Sequence, residues 1–308
     1  MSYKAHLEAQ LTEARNDAKV SAFLAQELEA VEAEIYRVEY PALKWRTILP
    51  VDTNYPSAVD TISYRVFDAF GEAKLIANYA DDLPMSDVHG EKFSSNVEGI
   101  GAAYGYSTHE LRAAAMAGMP LDRERAEMAM EAIERKMDTF AALGEPKVGF
   151  VGFARHPNVP VDTSAAWSSA TLALQEMNDL AQAQVDATNE LHPPDTMLLP
   201  PTLYGYAAVT LMNSANPAGE TVLSQFLKTS PYIKNVMSWR PLATAGDHGG
   251  KRVIVWKRDP KVAKVAVPME AIAGEPEKRN LFFTVPMEAR FGGCIVKLPL
   301  AIRYLDVA

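Results

Sequence analysis

Apolar residues recur at Leu7, Leu11, Ala14, Ala18, Leu24, Leu28, Val31 and Ile35 with acids and bases between them. That helical or heptad spacing predicts an amphipathic arm, suited either to packing on its own domain or to docking on another subunit. Tyr40-Pro41 should end it, because proline disfavours helical geometry in the residue before it. Further on, Ile62, Tyr64 and Val66 alternate with Ser63 and Arg65, the period-two mark of a half-buried strand, and a second strand signal runs from Glu91 toward Val97. Gly71, Leu75-Ile76, the acidic turn Asp81-Asp82-Leu83-Pro84 and Gly90 lie between them, so the stretch predicts a long excursion of antiparallel strands. An isolated ribbon is marginally stable in water, so its apolar face calls for a cover.

Ser107-x-x-Glu110 forms a capping-box pattern that predicts a short helix, interrupted at Pro120. Asp122 is then the expected cap of a second helix, with Ala126, Met130, Ile133, Met137 and Phe140 on its apolar side and Gly144 at its end. Such a rod is about 33 Å long, against an expected radius of gyration of about 19 Å for a compact body of this length. A helical pattern spans 165–191 and stops at Pro193-Pro194. A buried strand at 196–199, helices near 203–212 and 222–228 and a strand near 233–239 follow, which together predict a small α/β unit. The remainder predicts strands at 253–256, 263–267, 281–285 and 294–305, the last made an edge or bulged strand by Pro299.

Of 308 residues, 48% are hydrophobic, enough for one or two buried cores and against intrinsic disorder. Thirty basic against 39 acidic side chains leave a formal charge of −9, a poor balance for gripping nucleic acid by counterion release. Cys294 is the only thiol, which excludes an internal disulfide framework and a multi-cysteine zinc site. No secretion signal and no run of about 18 apolar residues is present, so a soluble chain folding in a cytoplasmic environment is expected.

Candidate chemistry is sparse. Gly99-x-Gly101-x-x-x-Gly105 with Asp122 beyond it superficially suggests a dinucleotide fingerprint, but the helix cap comes too late for the glycines to sit at a strand-to-helix turn. Glycines relieving a crowded or bent strand are the better reading. His6, His89, His109, His156, His192 and His248 show no paired metal spacing. Asp81 and Asp82 are neighbours whose side chains point apart on an extended chain, which suits turn or intersubunit contacts better than glycosidase chemistry. Met128, Met130 and Met137 suggest core packing rather than an adaptable groove, with only the last two on the apolar face. Neither a Gly-x-Ser-x-Gly elbow nor a phosphate loop occurs, and Cys294 reads as an inert core thiol. Catalytic, cofactor-binding and metal residues are therefore all expected to be none.

Residues 1–40 carry eight acids and four Lys or Arg, whereas Lys251, Arg252, Lys257, Arg258, Lys261 and Lys264 stand against Asp259 alone. The ordinary account is solvated strand ends; the alternative is that this basic segment faces an acidic surface of a neighbouring subunit or confined nucleic acid.

Leu49-Pro50-Val51, Ala80-Asp81-Asp82-Leu83-Pro84, Gly149-Phe150-Val151-Gly152-Phe153 before His156-Pro157, and Asp195-Thr196-Met197-Leu198-Leu199-Pro200-Pro201 occur in an order that resembles the major capsid proteins of tailed bacteriophages, the Hong Kong ninety-seven type fold. The resemblance spans nearly the whole chain. It implies an α+β fold with an N-terminal arm at 1–51, an E-loop at 52–106, a peripheral domain with a spine helix at 107–161, an axial α/β domain at 162–248 and peripheral return strands at 249–308. It further implies no enzymatic activity and no cofactor. Self-assembly through pentamers and hexamers would give an icosahedral or prolate shell enclosing double-stranded DNA, with portal, scaffolding or decoration proteins as further partners and no membrane. The site would be the virion capsid, assembled in the host cytoplasm. Lys74 and Lys92 carry no assignable crosslinking role. An encapsulin-like compartment shell and a soluble α/β nucleotide-binding enzyme are the competing readings. Charge reversal at Lys257 and Arg258 is expected to alter assembly, its salt dependence or genome retention, checked by particle yield across a salt series; no change in any of the three rejects the role for the basic segment.

Overall fold

The computed structural model describes residues 43–70, 87–117, 121–213 and 219–308. The chain divides into units 1–42 and Leu43–Ala308, and the second carries all that follows. The amphipathic arm, the 71–86 excursion with Asp81 and Asp82, and Pro120 lie outside the described residues.

The order begins α1 (Trp45–Ile48), β1 (Val51–Asp52), β2 (Thr61–Phe70), β3 (Asp87–Asn96), β4 (Glu98–Ser107), α2 (Thr108–Ala117), α3 (Leu121–Leu143), β5 (Gly144–Glu145), β6 (Phe150–Val151), β7 (Val161–Ser164) and α4 (Ala170–Ala187). It continues β8 (Thr196–Leu199), α5 (Pro201–Val209), α6 (Val222–Thr229), β9 (Asn235–Ser238), β10 (Lys251–Trp256), β11 (Ala263–Ala266), β12 (Met269–Ala273), β13 (Glu277–Arg279), β14 (Phe282–Phe291), β15 (Cys294–Val296) and β16 (Ile302–Val307).

A five-stranded sheet runs β7-β16-β10-β8-β9. Its central strands are apolar at every position of 253–256 and 197–199 because both faces are covered. Val253, Val255, Met197 and Leu199 pack with Met177, Leu180 and Phe226 of the flanking helices. Ile254, Trp256, Leu198 and Tyr304 turn the other way, into a core shared with α3. In that second core Phe291 meets Trp45 at 6.2 Å and Phe150 at 5.8 Å, both edge-on, the geometry aromatic quadrupoles favour.

The Ser107–Glu110 box forms reciprocally: the Ser107 amide donates to Glu110 Oε2 at 2.9 Å and the Glu110 amide to Ser107 Oγ at 3.2 Å. Asp122 lies one residue inside α3, which starts at Leu121, so it belongs to the first turn rather than the cap. The buried stripe of α3 is Ala129, Ile133, Met137 and Ala141, whereas Met130 is 45% exposed. Met130 lies at the same helical angle as buried Met137 and Ala141 but nearer the start of the helix, where Ala129 is the only buried residue between 124 and 132. The helix predicted over 165–191 is shorter, because Ser169 caps it through the Leu172 amide and Asn189 and Glu190 adopt positive φ just after it. The final strand is two strands in different sheets, β15 beside β11 and β16 between β7 and β10, with Pro299 in the turn that carries the chain between them. β16 is central, not the edge or bulged strand expected from Pro299.

A ten-residue register joins β4 to β14, and β12 and β13 line the opposite edge of β14. Of the three glycines of the rejected fingerprint, Gly105 is crowded, since a Cβ there would lie 2.6 Å from the Phe282 ring, but Gly99 faces open space. α3 stops at Gly144, whose φ of +74° favours glycine, and a Cβ on Gly152 would sit 2.2 Å from the Leu143 carbonyl carbon. The helix end and β6 thus approach as closely as two backbones can. Gly152→Ala is expected to cost at least about 1–3 kcal/mol through overpacking, measured by denaturant unfolding; an unchanged midpoint would show that the helix end can part from β6.

Candidate interaction surfaces

Among the described residues no three His, Cys, Asp or Glu side chains cluster as metal ligands, and no helix is long and apolar enough to cross a membrane. His156 and His192 line one groove. Burial pushes the His156 imidazole below its usual value, and its Nδ1 accepts from the Asn158 amide at 3.3 Å. Cys294 is buried in β15, and desolvation pushes its thiol up to about 12, so it is an inert core group as its apolar context predicts.

What the structure offers instead is surface. β2 and β3 pair over ten residues, Thr61 with Asn96 through Phe70 with Asp87, and only with each other among the described strands. Their root is fixed by Ile62 and Val97 against Ala266 and Ile295. Tyr64 and Phe93 stack at 5.6 Å, and Tyr64 Oη donates to the Val296 carbonyl at 3.4 Å. The same two rings, with Val66, form one wall of an open groove of about 1050 Å³. Leu191, Val296, Leu298 and Leu300 stand opposite. Sequence reasoning missed this groove because its walls come from five segments far apart in the chain with no shared motif.

Beyond residue 42 the chain is anchored in the core under α3 through Trp45, Ile48 and Leu49. Lys44 Nζ donates to Ser238 Oγ at 2.9 Å, Trp45 Nε1 to Glu134 at 3.2 Å, and Arg46 bridges Glu134 at 2.7 Å and Glu270 at 2.6 Å. Asp138 on α3 accepts from Trp239 Nε1 at 3.1 Å, and burial, only partly offset by that indole and the Trp45 amide, raises its carboxyl above the ordinary range. A second apolar patch, Leu111, Met116, Leu281 and Phe282, is exposed on α2 and at the start of β14.

The basic segment divides. Arg252 is buried and forks onto both oxygens of Asp306 at 2.6 and 2.7 Å, with a third bond to the Ala154 carbonyl. Lys264 pairs with Asp52, and Arg258 Nε donates to the Ile48 carbonyl at 3.1 Å. Lys257 and Lys261 form no ion pair with any described residue. Half of the apparent positive stripe is therefore structural. Of the sequence motifs, Pro50 receives the Val265 amide at 2.9 Å, Phe150 and Phe153 are core, and Asp195 accepts the Arg258 amide at 2.9 Å. Ala80–Pro84 lies outside the described residues.

Burial alone would raise the Asp306 carboxyl, but the Arg252 hydrogen bonds and charge and the Asp247 amide more than offset it and hold it below the ordinary value. A depressed folded value stabilises above the unfolded pKa of about 3.9 and is lost as pH falls through the folded one. Asp306→Asn leaves Arg252 without its close partner and should cost about 3–5 kcal/mol at neutral pH, the gap to the parent closing as acid protonates Asp306 itself. Denaturant unfolding across pH checks this; equal stabilities at pH 7 would show the pair to be dispensable.

The sequence profile of the family described as "Major capsid protein" matches residues 71–307. No curated protein matches the sequence. Among solved structures, the capsid of Myoviridae phage XM1 superposes with a TM-score of 0.77 at 20% identity, covering 92% of this chain and 98% of that one. Mycobacterium phage Bobi gives 0.66 at 14% identity over 91% and 95%, and the virus-like particle from Pyrococcus furiosus 0.59 at 13% over 85% and 91%. At these identities the superpositions establish the fold, a Hong Kong ninety-seven type chain of mixed helices and strands.

Proposed function

The chain belongs to the major capsid protein family of tailed bacteriophages, and on that premise we propose that its copies form pentamers and hexamers that close an icosahedral or prolate shell around double-stranded DNA. It is a structural shell subunit rather than an enzyme. The family match favours the coat over the compartment-shell and enzyme readings.

In this reading residues 1–51 form the arm, 52–106 the E-loop, 107–161 and 249–308 the peripheral domain, and 162–248 the axial domain. The observation that carries it is the β2–β3 ribbon, whose Tyr64, Val66 and Phe93 border an open groove rather than a closed core. Such a face asks for another copy to cover it. Arms and E-loops would lap neighbouring subunits while peripheral domains join capsomers. Many modest contacts remain correctable one at a time, yet release of a subunit from a closed shell breaks several at once. DNA would be enclosed rather than read, which suits a net charge of −9. A portal with scaffolding or decoration proteins would complete assembly in the host cytoplasm.

Deleting residues 70–90 should leave the two cores folded, by circular dichroism and cooperative unfolding, while electron microscopy shows no correct shells. Normal particles from the deletion would contradict the lapping role.

A further inference from the structure

The groove beneath the ribbon has the size and the lining of a small-molecule site. Its volume of about 1050 Å³ stands at the upper end of the roughly 300–1,000 Å³ that such sites span. Most of the lining is apolar, and Leu191 and Leu300 on the far wall are 73% and 57% exposed. Tyr64 and Val66 alternate along β2, as Glu91 and Phe93 do along β3, so the ribbon turns a side-chain face to the groove rather than a strand edge. Hydrocarbon fits such a wall better than an extended peptide, which needs backbone partners.

The polar part of the lining is small and short of negative charge. Lys297 forms no ion pair with any described residue. Burial and the nearby Lys264 outweigh Asp52 and Asp259 and hold its ammonium below the ordinary value, as for a cation lacking a counter-charge. His156 also lines the groove. Its Nδ1 accepts the Asn158 amide, so the neutral ring carries its proton on Nε2, which has no partner among the described residues. β15 packs against the turn at Phe153–Arg155, and Lys297 and His156 each follow directly. Glu91, the acid of the lining, stands on the ribbon wall.

We infer that the groove binds an amphiphile with a single carboxylate head, of the fatty-acid class, its head on Lys297 and His156 and its chain over Tyr64, Phe93, Leu298 and Leu300. The head satisfies the unpaired donors, and the chain removes the exposed aliphatic wall from water. The shell reading places a second copy over the same rings, and on that reading an occupied groove holds its subunit out of the shell.

Full-length subunits, kept below the concentration at which particles form, are dialysed to equilibrium against labelled dodecanoate below its micelle threshold. One saturable site per chain is expected. Octanoate should bind at least about tenfold more weakly, since each buried methylene is worth about fourfold. Leu300→Asp should weaken dodecanoate at least about tenfold and Lys297→Gln about fivefold, with circular dichroism unchanged. Met116→Asp, on the other apolar patch, should leave it within about twofold. Dodecanol should bind the parent and Lys297→Gln alike. Unsaturable binding, or a site indifferent to Leu300→Asp and Lys297→Gln, overturns the ligand assignment. Particle yield from the parent should fall as dodecanoate fills the site, and less steeply for Lys297→Gln; full yield at saturation overturns the competition with shell closure. Failure of the parent to form particles without ligand would instead strike the coat reading, and the dialysis decides the site independently of it.

Discussion

The structure depends on one sheet being buried on both faces. β8 and β10 send Leu198, Ile254 and Trp256 into the core under α3, and Met197, Leu199, Val253 and Val255 into the core under α4 and α6. Alternation along two strands therefore joins two hydrophobic bodies without a linker. A one-residue slip would exchange the large Trp256 for Val255 and misfill both cores at once. The bidentate Arg252–Asp306 pair ties β10 to β16 within this sheet, where both groups are largely withdrawn from water.

That rigidity gives the surface features their meaning. Because α1 is bonded to Glu134 and Glu270 and packed under Phe291, the chain leaves the described body from a fixed point. The ribbon is held at its root by Ile62, Val97 and the Tyr64 bond to the Val296 carbonyl, and among the described strands β2 and β3 pair only with each other. A firm body carrying a ribbon held at one end suits the lapping role proposed for it.

Much of this was legible in the sequence. Strict alternation marked β2, the Ser107–Glu110 spacing marked the start of α2, and Gly144 marked the end of α3, because each signal is local and has a single physical cause. Other features depended on distant partners. Met130 fits the helical stripe of α3, yet it stands too near the start of the helix, where the core reaches Ala129 alone. Pro299 was visible as a strand breaker, but not that the chain changes sheets there. Half of the basic segment was absorbed by Asp306, Asp52 and the Ile48 carbonyl, partners that sequence proximity does not reveal. The motif order pointed to the family even though its described members serve turns, caps and core rather than chemistry.

The pairing of Val51 with Val265 and of Val161 with Tyr304 has a consequence for biosynthesis. Neither pairing can form until Val265 and Tyr304 have been made, so a nascent chain keeps its early strands waiting for late ones. A chain cut short before Ile302 therefore lacks the strand that lies between β7 and β10, and β7 is left without the neighbour that pairs with it.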